Sequence, residues 1–428
     1  MKTASLLLAT CLLALAQPSL AQAPAAKPVP HSDIRSPSLD FMPPHEMIDR
    51  IMAEDPDVLQ ARARVQAAEA EARARAAGPH EFTLRGEYVS RASNIEGHLN
   101  EWTVGVARGI RLPGKADADM RIGNAAIAVA ENSFGDARHQ TATLIKTLYL
   151  EWALAEMEAM LAEDEVRGYE RQLAATERSR QLGQAAALQV EQVQTALAQA
   201  RAMATSAAQA RLSAKVSLQR TFPSLVLPAR LDAMPEPAAP PGAWEEWRAA
   251  ILDDNHELKI AQSEAERRDW LAKRASMDRF ADPTFELRTF QERSGHDTGF
   301  GIGFSMPIGG AQRSATAQQA AAEASAAAIA ARKALRDLEI AADRDIIAAQ
   351  QGLAGWRQTR DAAQTSGQML IRMQRAVALG ETGLTELLMA QRQDYDVRRA
   401  ELRARAMAHA AVLQLMIDAH RVWSLGDE

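Results

Sequence analysis

Residues 101–115 read EWTVGVARGIRLPGK, and two spacing rules meet inside this stretch. Trp102, Val104, Val106, Ile110 and Leu112 alternate with Thr103, Gly105, Ala107, Gly109 and Arg111. A period of two sends the first set to one face of a β-strand and the second to the other. Pro113-Gly114 ends the alternation, and no further proline occurs until Pro223, which leaves a Pro-free tract of 109 residues (114–222). That tract is rich in Ala, Glu, Gln, Arg and Leu, the strong helix formers. A strand of about ten residues is long enough to cross a bilayer, and here it runs straight into a very long helix. This combination decides the fold.

Working outward, Phe82, Leu84 and Tyr88 alternate with Glu81, Thr83, Arg85 and Glu87, so a first strand is expected over about 81–90 and its partner over about 100–112. The long helix is expected from Lys115 to Leu182, a span of 68 residues, followed by a helix over about 185–221. At 1.5 Å per residue the long helix reaches roughly 100 Å, well beyond a compact domain. Leu150, Leu154, Met157 and Leu161 recur at 4-3-4 spacing, the narrow seam of coiled-coil packing. The run AAAEASAAAIAA at 320–331 offers small side chains that let helices approach closely.

The same order of elements occurs twice. Asp55-Pro56-Asp57-Val58-Leu59 matches Asp254-Asn255-His256-Glu257-Leu258 at an offset of 199, and Phe82-Thr83-Leu84-Arg85 matches Phe285-Glu286-Leu287-Arg288 at 203. Gly105-Val106 matches Gly301-Ile302 at 196, and Arg178 with Leu182-Gly183 matches Arg375 with Leu379-Gly380 at 197. A near-constant offset is the mark of duplication. The first repeat is expected over 45–222 and the second over 243–428, with a Pro-rich linker at 223–242 between them. The second repeat is expected to hold strands at about 284–292 and 298–308, a long helix at about 312–379 and a last helix at about 384–423. In its strands, Phe285 and Leu287 alternate with Glu286 and Arg288, and Phe300, Ile302, Phe304, Met306 and Ile308 alternate with Gly299, Gly301, Gly303 and Ser305.

Lys2, the apolar run Leu6 to Leu15 and the small residues at Ser19-Leu20-Ala21 read as a secretory signal peptide over 1–21, with cleavage expected after Ala21. Residues 22–44 then form an extended leader. Cys11 is the only cysteine; Thr10 ahead of it makes a poor lipidation signal, and the cut at Ala21 leaves no thiol in the mature chain. After the signal, no stretch reaches the roughly 18 uninterrupted apolar residues of a membrane helix, so a membrane role requires a closed β-barrel. Four strands cannot close a barrel around a lumen without leaving backbone groups unpaired in lipid, so several copies must share one barrel. A net charge of −6 excludes nucleic acid as the expected partner.

An exported chain with a duplicated plan of helix, β-hairpin, long helix and helix resembles the TolC family of outer-membrane efflux proteins. So do the Leu-Pro-Gly-Lys turn at 112–115, its Ile-Gly-Gly counterpart at 308–310, and the Arg-x-x-x-Leu-Gly strings at 178–183 and 375–380. The resemblance covers nearly the whole chain after residue 45. It implies a mainly α protomer with a small β part, a homotrimer with four strands per copy in one twelve-stranded transmembrane barrel, and a periplasmic α-helical barrel beneath it. It also implies outer-membrane lipid around the barrel and two protein partners, a periplasmic adaptor of the membrane fusion class and an inner-membrane RND-type pump, with no cofactor and no enzymatic step. Length and the Gly-Lys turn look most like the heavy-metal branch of the CzcC type; drug or solvent efflux and type I secretion stay open.

The expected functional positions follow. Arg178, Leu182, Gly183 and Gln184 in the first repeat, and Arg375, Leu379, Gly380, Glu381 and Thr382 in the second, should form the periplasmic tip, gate and adaptor dock. Gly183 and Gly380 suit the left-handed turn that ends a helix. In a trimer Glu381 becomes a ring of three carboxylates that favours cations, or else a solvated residue that complements a helix start. Pro113, Gly114 and Lys115, with Pro307, Gly309 and Gly310, should turn the chain from barrel wall into helix. Gly109 to Ala116 nearly spells a phosphate-binding loop, but Ala116 replaces the magnesium-binding hydroxyl and the second turn has no lysine, so no nucleotide is expected. His409 and His420 lie 11 residues apart on one helix, about 16 Å by rise, and cannot share an ion. A periplasmic adaptor predicts one helical hairpin flanked by small β-domains, and a structural coiled coil predicts no amphipathic strands.

Overall fold

The computed structural model describes residues 39–228, 231 and 233–423. The signal peptide, Cys11 and the leader up to residue 38 lie outside the described residues. The first repeat holds α1 (His45–Glu54), α2 (Pro56–Ala77), β1 (Thr83–Ser93), β2 (Gly97–Gly109), α3 (Lys115–Gln181) and α4 (Ala187–Thr221). The second holds α5 (Trp244–Asp253), α6 (His256–Met277), β3 (Thr284–Glu292), β4 (Asp297–Ser305), α7 (Ala311–Leu379) and α8 (Leu384–Asp418). The helical segment ahead of each hairpin is divided in two by a side-chain cap. Asp55 accepts from the amides of Asp57 and Val58 at 3.0 and 3.1 Å, and Asn255 accepts from Leu258 at 2.8 Å. Each cap satisfies amides that a helix start leaves unpaired.

The four strands form one antiparallel meander in the order β1-β2-β3-β4, and the β2–β3 pairing joins the two repeats. β2 stops at Gly109 although the alternation runs on to Leu112. The Ile110 amide donates to Pro283 O, and Arg111 turns back to cap α2 by donating to Arg75 O and Ala76 O. β4 stops at Ser305, two residues before Pro307, which has no N–H to give a ladder.

α3 and α7 span 67 and 69 residues. On the sheet side, α2, α3, α6 and α7 pack in that order; on the other side, α4, α3, α8 and α7 do so. The main core is a belt across the middle of these helices. Tyr149, Trp152, Leu218, Phe222, Trp247, Leu353, Trp356, Leu413 and Trp423 pack in it, and the Pro-rich linker contributes Leu225, Leu231 and Met234. Buried linker carbonyls find donors, with Met234 O accepting from Arg405 and Pro241 O from the Trp247 indole. Among the described residues no helix is long and apolar enough to cross a membrane.

Candidate functional site

The strand register sorts the sheet into two unlike faces. One row runs Leu84–Val106–Leu287–Ile302 across all four strands, and the next rows on that face add Val104, Phe300, Tyr88 and Trp102 on one side and Phe285 and Phe304 on the other. These ten side chains are exposed in the single chain, Leu84 by 75%, Phe300 by 68% and Ile302 by 73%. Leaving each large apolar side chain in water forgoes roughly 1.5–3 kcal/mol, so this face needs an apolar medium over it. The opposite face carries Arg85, Glu87, Arg91 and Glu101 with Glu286, Arg288, Glu292 and Asp297. Arg91 pairs with Glu101 at 2.7 Å and Arg85 with Glu286 at 3.7 Å. Gly105 keeps this charged face shallow, because a Cβ there would stand 3.1 Å from Arg288 Cβ and 3.2 Å from Leu287 O. Among the described residues, β1 and β4 each leave one edge without a partner strand.

Beneath the sheet, Lys115 is buried to 1% exposure at the first residue of α3. Its ammonium donates to Phe280 O at 2.7 Å and Asp282 Oδ1 at 2.8 Å, and pairs with Asp278 Oδ1 at 3.0 Å. Asp282 also accepts from the Leu112 amide at 3.0 Å and meets His80 Nε2 at 2.8 Å. Burial alone would raise the Asp282 carboxyl, but Lys115, His80 and the Leu112 amide hold it down at about 2. Arg111 and Arg274 share Asp119 at 3.0 and 2.9 Å. The lysine of the phosphate-loop look-alike is thus consumed by structure. Pro113 and Gly114 lead into it, Gly114 at φ +85°. In the second repeat Pro307 precedes Gly309, where a Cβ would come within 2.4 Å of Arg279 O, and Gly310 caps α7. Asp278, Asp282 and His80 were not singled out in the sequence; the only signal was polar residues where α2 and α6 give way to strands.

At the far end both long helices finish alike. Gln184 N donates to Ser179 O at 2.8 Å with Gly183 at φ +74°, and Glu381 N donates to Ala376 O at 2.9 Å with Gly380 at φ +77°. These six-to-one bonds with a left-handed glycine satisfy carbonyls that a helix end leaves open. Val193, Leu384 and Leu387 bury together against Leu173, Leu370, Met373 and Val377, which brings both tips to one end of the molecule. Arg178, Leu182, Gly183, Gln184, Arg375, Leu379, Gly380 and Glu381 are exposed there, and Thr382 is half-buried. Leu188, not picked out in the sequence, is 63% exposed beside them. The histidines belong elsewhere: His409 is buried with Nε2 2.9 Å from Pro235 O, and His420 Nδ1 lies 3.3 Å from Asp254.

An apolar outer face, a charged inner face, two open strand edges and two long helical hairpins define a class: a protomer of a transmembrane β-barrel continued by a helical tunnel. Residues 47–222 match the family model for outer membrane efflux protein. A membrane protein from Pseudomonas aeruginosa shares the fold with a TM-score of 0.76 at 17% identity, over 92% of this chain and 93% of that one. The outer membrane protein VceC from Vibrio cholerae does so with a TM-score of 0.74 at 16% identity, over 88% of this chain and 96% of that one. The CmeC outer membrane channel of Campylobacter jejuni follows at 0.72 and 11% identity, over 87% and 84%. At such identities the likeness shows the fold. No curated protein matches the sequence. The chain therefore shares the fold of these outer-membrane proteins over most of its length, and its first half matches the outer membrane efflux protein model.

Proposed function

We propose that three copies of this chain close one twelve-stranded barrel and that the resulting conduit carries heavy-metal cations outward from a periplasmic adaptor and an RND-type inner-membrane pump. The observation that carries the trimer is the four-stranded meander with an apolar outer face and two unpaired edges; neighbouring copies satisfy the edges and lipid covers the face. The cationic cargo is supported by the inner face, where five carboxylates stand against three guanidinium groups in each copy. Any ring of Glu381 adds three more carboxylates at the tip. The tip residues Arg178, Leu182, Gly183, Gln184, Arg375, Leu379, Gly380, Glu381 and Thr382 act as gate and adaptor dock, a reading supported by exposed Leu182, Leu188 and Leu379. Such apolar side chains in water suit a protein partner. Energy for transport comes from the pump, and this chain supplies a wet path.

The test is fractionation followed by electrophoresis of the detergent-extracted protein with and without heating. A heat-modifiable trimer in the outer membrane is expected; a soluble periplasmic monomer refutes the reading. For cargo, loss of the gene should sensitise cells to cobalt, zinc, cadmium, copper or silver, and sensitivity to drugs alone would overturn the metal assignment. In a planar bilayer Glu381→Gln should lower the cation-to-anion permeability ratio.

A further inference from the structure

The outward face of β2 is apolar from Trp102 through Val104 and Val106, and then it presents Arg108. The register sets Arg108 beside Phe285, which in turn faces Phe304, so a guanidinium stands in a row of aromatic rings. Arg108 lies 4.5 Å over the Phe82 ring, and its Nε donates to His80 O at 3.3 Å. Among the described residues it has no carboxylate partner, whereas Arg111, three positions on, pairs with Asp119 at 3.0 Å. Both terminal nitrogens of Arg108 are therefore left with donors to spend. Beside it, between the end of α2 and strands β2 and β3, opens a cleft of about 430 Å³ lined by Phe82, Val106, Ile110, Phe285 and Leu287.

Depth fixes what can occupy this cleft. Trp102 and Tyr88 form one row of the same face, and Arg108 lies six residues from Trp102 along β2. At about 3.3 Å per residue along a strand tilted by roughly 40° that is about 15 Å of depth, more than half the height of the apolar band of an outer-membrane barrel. Arg108 shares its row with Phe285 and Phe304, the last aromatic row before the helices, which puts it toward the headgroups of the periplasmic leaflet. β2 lies between β1 and β3, so a copy joining at either free edge leaves this face open to lipid. A cation there needs an anion or water from the membrane side.

We propose that Arg108 and this cleft bind one phospholipid of the inner leaflet per protomer, the phosphate on the guanidinium and an acyl chain against Phe82, Val106 and Leu287. The inference rests on the outer-membrane channel reading. The test is native mass spectrometry of trimers in mild detergent, titrated separately with phosphatidylglycerol, with diacylglycerol of the same chains and with inorganic phosphate. Up to three phosphatidylglycerols are expected per trimer, with far weaker retention of diacylglycerol and no competition from millimolar phosphate. Arg108→Gln should weaken phosphatidylglycerol retention roughly tenfold or more, as for loss of a charge-assisted pair, and Arg108→Lys should recover part of it. Equal retention by wild type and Arg108→Gln overturns the proposal, as does equal retention of diacylglycerol; displacement by inorganic phosphate would make it a free-anion site. Should Arg108→Gln fail to assemble, Leu287→Trp fills the cleft with Arg108 intact and must also lose the lipid; undiminished retention there overturns the proposal. A wild-type protein that forms no heat-modifiable trimer sinks the channel reading, whereas a trimer that retains no lipid sinks only this inference.

Discussion

Replacing Lys115 with methionine keeps most of the stem and removes the charge from the junction. The ammonium is buried and holds three oxygens, those of Phe280 O, Asp282 and Asp278, within 3.0 Å. Breaking one side of a buried pair costs roughly 3–5 kcal/mol. The lower end applies here, for two reasons. Asp282 keeps its bonds from His80 and the Leu112 amide, and Asp278, with 42% of its side chain exposed, regains water and still has Arg274. The Phe280 carbonyl is left without its donor, about 1–3 kcal/mol of that total. A loss of about 3 kcal/mol is roughly a hundredfold in the folded ratio. The assay is the decay of the heat-modifiable trimer in guanidinium, compared for wild type, Lys115→Met and the double variant with Asp282→Asn. The double variant should recover part of the loss, because its two changes share one contact. The pH dependence has a fixed sign. Asp282 is held at about 2, below its ordinary 3.8, so its contribution is complete above pH ~4 and is lost as pH falls toward 2. The gap between wild type and Lys115→Met should therefore be full at pH 7 and narrow between pH ~4 and ~2. A Lys115→Met trimer that decays within threefold of wild type at pH 7 would refute the reasoning.

Three further outcomes follow from other sites. Gly309→Ala should sharply lower trimer yield while Gly310→Ala does not, because a Cβ at 309 meets Arg279 O at 2.4 Å and one at 310 meets nothing; equal yields by quantitative gel would contradict this. Asp345 is pushed up to about 7 by burial and then by the hydrogen bond and charge of Asp418, with Lys146 and His139 opposing. A raised carboxyl binds its proton on folding, so stability declines as pH rises from about 4 to 7; Asp345→Asn should unfold later than wild type at pH 8 and alike below pH 4. Gly301→Leu should still assemble, since its Cβ meets only the flexible Arg288 side chain at 3.0 Å, yet reduce single-channel conductance by narrowing the charged inner face.

The period-two runs and the two Pro-free tracts made the architecture legible, because alternation and helix propensity act locally. Val104, Val106, Leu287 and Ile302 announce their common face by spacing alone, and the register then puts three of them in one row. What spacing does not carry is long-range pairing. Lys115 in the string LPGK looks like a phosphate-loop lysine until Asp282, 167 residues away, is seen beside it. The end of β2 is hidden in the same way, since Arg111 turns back to cap α2 through a contact that spans 36 residues. The alternation of β2 says nothing of Arg108, whose meaning depends on Phe82, Phe285 and the depth of the whole row.

Both long helices close on the same short segment. Lys115, at the start of α3, grips Phe280 O and Asp282, while Arg313, in the first turn of α7, donates to Asp278 O at 2.7 Å. Residues 278–282 thus tie the two helix starts to the base of β3, and the belt core fixes the same helices again at their middles. Beyond the belt, toward the tips, burial shrinks to two small clusters, one around Tyr169, Leu197 and Ala200 and one around Val193, Leu384 and Leu387. Local opening begins where buried apolar contact is least. The sheet end is held twice and the tips by less buried apolar contact, so local opening is expected to begin at the tips, which faster amide exchange around Gly183 and Gly380 than in the belt would show.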